Sequence, residues 1–127
     1  MRSDSFKAAA VAKDFSAAQD LFAEDVTFRS PVVFKPYEGR DQVQLILSAV
    51  VQVFEDFRYI EQVETGDVAV LQFETRVGDK QIQGVDILKF AENGSIGELT
   101  VMVRPMSGMH ALAEAMQKLL ESPTALG

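Results

Sequence analysis

Three glycine-centred turn signals cut the stretch after Phe57 into segments of nearly even length: Glu64-Thr65-Gly66-Asp67, Val77-Gly78-Asp79-Lys80 and Glu92-Asn93-Gly94-Ser95. Together they divide four strand-like segments of about ten residues, and tight turns of this kind reverse the chain onto its own neighbour. The expected result is an antiparallel meander. Such a sheet has an apolar inner face that cannot stay wet, so helices elsewhere in the chain must cover it.

Those helices are legible on both sides of the meander. Val43, Ile46, Leu47, Val50, Val51 and Phe54 follow one another at helical spacing after Gly39, which predicts an amphipathic helix over Asp41–Asp56 with Asp41 as its cap. The N-terminal third reads as two short helices. One is Phe6 to Lys13, capped by Ser5 or Ser3, and the other starts at Ser16-Ala17-Ala18-Gln19 and runs through Phe22. Val26-Thr27-Phe28-Arg29-Ser30 alternates as a strand, and Pro31 and Pro36 confine the next segment to an edge or loop. Pro105 ends the last strand. Ser107 is placed to cap a closing helix with Met109, Leu112, Met116, Leu119 and Leu120 as its apolar stripe. The fold class is therefore α+β, one domain over residues 1–127.

Composition excludes several functions. A net charge of −7 disfavours nucleic acid and anionic membrane as partners, and no apolar run is long enough for a membrane span. With no cysteine and a single histidine, His110, neither a thiolate nor a multi-histidine metal site can form, nor can a cysteine nucleophile. No metal and no cofactor is expected. The first residues are not a signal peptide's apolar core, and the chain reads as cytoplasmic.

Within the meander, Gly84-Val85-Asp86-Ile87-Leu88-Lys89-Phe90 places Asp86 on the same face as Leu88 and Phe90. A carboxylate on an apolar face must be paired or become neutral through a raised pKa. Its pKa is therefore expected above the ~3.9 of a free aspartate. Asp86 is the candidate catalytic residue. The plainer alternative is a strand aspartate hydrogen-bonded to a tyrosine or a backbone N–H.

The order of elements, together with Leu21-Phe22-Ala23-Glu24-Asp25-Val26-Thr27-Phe28-Arg29-Ser30-Pro31-Val32, then Gly39, then Val85 to Gly94, resembles the nuclear transport factor 2-like superfamily. That superfamily includes ketosteroid isomerases and SnoaL-like polyketide cyclases. The resemblance runs from about Phe6 to Pro105. It implies a cone, in which a curved, mostly antiparallel sheet wraps N-terminal and central helices around a pocket and a C-terminal helix closes the structure.

By alternation and this resemblance, Phe6, Phe28, Leu71, Phe73, Leu88, Leu99, Val101 and Val103 line the pocket with Asp86, and Ser30 is able to orient a ligand or water. The resemblance also implies departures. The position of the ketosteroid isomerase base is Ser30, the tyrosine of their first helix is Phe6, and only the acid matching Asp86 remains. Ketosteroid isomerases supply the known case of a carboxylic acid kept neutral by an apolar site. The arginine of the limonene epoxide hydrolase branch is replaced by Gly84, so the single strand aspartate of the SnoaL-like cyclases is the least contradicted pattern.

Two kinds of partner are expected. One is a small apolar molecule, cyclic and of carbonyl type. The other is a second copy of the chain, packed through the convex face carrying Glu98, Thr100, Met102 and Arg104, with Val70, Gln72, Glu74 and Arg76 on what is read as the strand before it. An enzyme using Asp86 as general acid and base, a non-catalytic carrier and a dimeric interaction module are the three functional classes open at this point.

Overall fold

Turn chemistry sets the sheet. Gly66, Gly78 and Gly94 all have positive φ, at 57°, 61° and 87°, a region that only glycine enters without penalty. The computed structural model describes residues 1–16 and 19–121. In chain order these form α1 (Asp4–Val11), a 3₁₀ turn (Gln19–Leu21), β1 (Phe22–Arg29), β2 (Tyr37–Glu38), α2 (Arg40–Val53), β3 (Glu55–Thr65), β4 (Val68–Val77), β5 (Lys80–Phe90), β6 (Ile96–Arg104) and α3 (Met106–Glu121). The strands make one curved, unclosed sheet in the order β2-β1-β6-β5-β4-β3. Every neighbouring pair is antiparallel except β1 with β6. The fold is the α+β arrangement expected, with helices inside the curve and α3 at the end.

Several local expectations are corrected. The helix expected from Ser16 through Phe22 lies partly outside the described residues, and Phe22 itself opens β1 after the short 3₁₀ turn. Asp41 is not the cap of α2. Gly39, at φ 94°, holds that place, and Asp41 sits in the first turn, where its charge complements the helix dipole. The helix also stops at Val53 rather than Asp56, because Phe54 is already extended. Ser107 lies inside the first turn of α3, whose Met109 N–H bonds to the Pro105 carbonyl. On the convex face, β5 separates β4 from β6, so Val70, Gln72, Glu74 and Arg76 are not the immediate neighbours of Met102.

Ser3 stands at the N-cap of α1 but its side chain makes no capping bond. Its hydroxyl donates instead to Glu64 Oε2 on β3 at 2.6 Å, while the Ser3 and Arg2 N–H groups donate to the same carboxylate. Gln62 Nε2 donates to Ser3 Oγ at 2.8 Å. These bonds hold Glu64 ionised below the usual carboxylate range and clasp the start of the chain to β3, an edge strand of the sheet.

Close approach matters most at Gly84. A Cβ there would lie 2.4 Å from Phe73 Cζ and 2.7 Å from the Met102 carbonyl oxygen. The absent side chain lets the Phe73 ring lie across β5 beside Asp86. Because backbone as well as ring must shift, Gly84→Ala is predicted to destabilise the fold by about 1–3 kcal/mol, the usual range for overpacking. A urea midpoint equal to that of the wild type would contradict this.

Candidate functional site

The concave side of the sheet and the three helices enclose a cavity of about 300 Å³, walled almost wholly by carbon. α1 contributes Phe6 and Ala10, α2 contributes Ile46, Leu47, Val50 and Val51, and α3 contributes Leu112, Met116 and Leu120. The loop from Ser30 to Val33 lines it as well, as does Tyr37.

Six of the residues expected at a pocket line this cavity: Phe6, Phe28, Ser30, Phe73, Asp86 and Val101. Four do not. Leu71, Leu88 and Leu99 face the concave side but are fully buried in the core, and Val103 packs partly buried against it. Alternation places a side chain on a face. It does not tell which part of that face is sealed in the core.

Asp86 is 6% exposed. Its carboxylate Oδ2 accepts a hydrogen bond of 2.7 Å from the Tyr59 hydroxyl. Among the described residues no lysine or arginine pairs with it. Burial pushes the Asp86 pKa up to about 7, against the smaller opposing effect of the Tyr59 bond. The Tyr59 phenol is driven well above its ordinary range, first by burial and then by the neighbouring Asp86 charge and hydrogen bond, so it remains a neutral donor.

The sequence reading allowed a tyrosine partner for Asp86 but did not single out Tyr59. Tyr59 pairs with Phe73 across the β3–β4 ladder, while Asp86 pairs with Leu71 on the other edge of β4, so the hydroxyl reaches over an intervening strand. Two edge-on ring contacts fix it, with centroids 4.9 Å from Phe57 and 6.3 Å from Phe73. Alternation from Phe57 keeps Tyr59 on the inner face but does not show that its hydroxyl crosses β4 to Asp86, and the strand bulges just beyond it. Strict alternation from Phe57 and Tyr59 puts Glu61 and Val63 inward, yet the register shift after Tyr59 turns Gln62 and Glu64 to the inner face. A charge predicted inward at Glu61 was the available warning.

Ser30 follows Arg29, which pairs with Thr100, so it lies in the row of Val101 and Asp86. Its Oγ accepts the N–H groups of Val32 and Val33, a turn-forming role that leaves its hydroxyl proton available. His110 lies exposed on α3, outside the cavity lining. Among the described residues no group of acidic or histidine side chains is arranged to hold a metal ion. No helix among them is long and apolar enough to cross a membrane.

A group titrating near pH 7 on a dry apolar wall can both accept and give a proton under ordinary conditions. It also couples stability to pH. Because the folded pKa is raised, the folded state binds the extra proton. The associated stability is complete below about pH 4 and is lost as pH rises through about 7. Within that window the slope is about 1.4 kcal/mol per pH unit, and Asp86→Asn is predicted to flatten it. Denaturation at a series of pH values checks this, and an unchanged slope in the variant would show that Asp86 titrates normally. Tyr59→Phe should raise the Asp86 pKa further, read from its carboxyl carbon by NMR.

Comparison with known proteins gives a consistent placement. The family model described as a SnoaL-like domain matches residues 4–99. A steroid delta-isomerase from Pseudomonas aeruginosa shares 40% identity, over 94% of this chain and 88% of that one, with a TM-score of 0.90. An uncharacterised protein of cystatin-like fold from Silicibacter pomeroyi shares 33%, over 95% and 86%, also with a TM-score of 0.90. A nuclear transport factor 2-like protein of unknown function from Mesorhizobium loti is 21% identical over 82% and 88%, with a TM-score of 0.73, a likeness of fold. No curated protein matches significantly. The chain belongs to the SnoaL-like domain family.

Proposed function

We propose that this SnoaL-like domain binds a small, apolar, cyclic carbonyl compound in its cavity and moves a proton on it, with Asp86 as general acid and base. The observation that carries the reading is a carboxyl group poised near neutrality on a carbon wall, with Tyr59 as its hydrogen-bond partner. As carboxylate, Asp86 takes a proton from the carbon beside the carbonyl, and the released electron pair moves onto the carbonyl oxygen to form an enolate. Asp86 then returns the proton to another carbon of the same conjugated system, so the double bond moves and the group ends as it began. Tyr59 stays protonated throughout and steadies the carboxylate. Ser30, in the same row with β6 between, has a hydroxyl proton to offer the oxygen that takes up charge.

The 40% identity to a protein named a steroid delta-isomerase supports a proton-moving reaction. Serine at position 30 and phenylalanine at position 6 limit this chain to a reaction that a single carboxyl group can perform, which suits isomerisation, cyclisation or dehydration. Those same two residues favour a second reading, a non-catalytic carrier that keeps the cavity without a complete proton-transfer set. Asp86→Asn separates the two. It preserves shape and a donor but cannot exchange a proton, so turnover of small cyclic β,γ-unsaturated ketones, followed by absorbance of the conjugated product, should fall about 10²–10⁴-fold while binding persists. A wild-type protein that binds such ketones and never converts them would establish the carrier.

Self-association through the convex face belongs to the same proposal, but on apolar rather than ionic grounds. The charges expected to meet a partner are engaged within the chain: Arg76 with Glu55 and Asp56, Arg58 and Gln83 with Glu74, and Arg104 with Gln83. What remains is Met102 and Val63, 57% and 58% exposed, with half-buried Val70, Val85 and Ile87 between them. Met102→Glu should convert a dimer to a monomer by light scattering at tens of micromolar, a range in which weak homodimers are populated. A dimer that survives the change would rule this face out.

A further inference from the structure

The cavity wall carries one more phenol, and the fold makes no use of its hydroxyl. We propose that Tyr37 is a second polar anchor, so that the cavity selects ligands bearing an oxygen function at each end of an apolar body. The inference rests on the cavity being the ligand site, as proposed for the Asp86 chemistry, and it does not depend on turnover.

Tyr37 lies on β2, at the edge of the sheet, and its ring stacks on Phe28 with centroids 6.0 Å apart and planes 23° from parallel. Phenylalanine would make that contact equally well. The hydroxyl has no hydrogen-bond partner among the described residues, whereas the Tyr59 hydroxyl is committed to Asp86. Tyr37 is half-buried, so its ring is held in place while its oxygen is not enclosed by protein.

Position gives the length of the ligand. Tyr37 pairs with Phe28, Phe28 with Leu99 and Leu99 with Leu88, two residues along β5 from Asp86. Three strand spacings separate β2 from β5, about 14 Å along the sheet, and curvature together with the reach of both side chains shortens the gap between their polar atoms to the order of 10 Å. Phe28 and Val101, both apolar, lie between. A ligand with a single oxygen, seated at Asp86, lays hydrocarbon against the Tyr37 hydroxyl. One with a second hydroxyl or carbonyl at the far end gives that phenol a partner. Sites that hydrogen-bond a ligand oxygen discriminate against the analogue lacking it. Since Tyr37 also reaches solvent at the rim, the preference is a modest one.

The test uses two rigid probes, 4-hydroxybiphenyl and 4,4′-dihydroxybiphenyl, titrated calorimetrically into the wild-type protein, Tyr37→Phe and Asp86→Asn. The wild type should bind the diol about three- to tenfold more tightly, beyond the statistical advantage of two equivalent ends, as one neutral hydrogen bond allows. Tyr37→Phe should abolish that preference and leave the mono-ol affinity unchanged. Asp86→Asn should change both affinities by the same factor. A diol preference that survives Tyr37→Phe would overturn the anchor while leaving the cavity as a binding site. Loss of affinity for both probes alike in Tyr37→Phe would overturn it too, by giving Tyr37 a packing role only. If neither probe binds the wild type, the proposed ligand site falls and the anchor falls with it.

Discussion

A carboxyl group withdrawn from water organises this structure. Asp86 is placed by the period of β5 on the side that the helices cover, and nothing cationic compensates it among the described residues. An isolated buried carboxylate is expensive, so the protein supplies one neutral donor, Tyr59, and lets the group take up a proton near pH 7. Holding Tyr59 in place requires the aromatic contacts with Phe57 and Phe73, and Phe73 in turn requires the bare backbone of Gly84. The polar pair is small. The packing that maintains it spans three strands.

The strands from β3 to β6 were readable because glycine turns and alternating side chains are local properties, and the turns at Gly66, Gly78 and Gly94 fell where their neighbours predicted. Asp86 could be assigned to the inner face for the same reason. What escaped the sequence was set by interactions between distant segments. Ser3 reads as a helix cap, yet its hydroxyl goes to Glu64 on the sheet. Leu71, Leu88 and Leu99 read as equivalent to Phe73 and Val101, but the first three are sealed in the core and the others face the cavity. Tyr59 escaped because its hydroxyl meets Asp86 across β4, a contact between distant segments, while the bulge after it reverses the facing of Gln62 and Glu64.

The two faces of the sheet solve opposite electrostatic problems. On the convex side, charges occur in plenty and neutralise one another along and across strands, as Arg76 does with Glu55 and Asp56, or Glu98 with Arg29 and Lys89. Exposed pairs of this kind add little stability individually. Their effect is to leave the apolar side chains among them as the least hydrated part of that surface. On the concave side charge is scarce, and one carboxyl is enough to define where a polar atom of a guest would sit.

The clasp between Ser3 and Glu64 ties α1, one wall of the cavity, to the edge strand β3. α1 brings Phe6 and Ala10 to the cavity and α3 brings Leu112, Met116 and Leu120, so the walls come from both extremities of the described chain with the sheet between them. Without α3 one side of the chamber is missing, so the burial that raises the Asp86 pKa depends on a helix that follows the whole sheet in the chain.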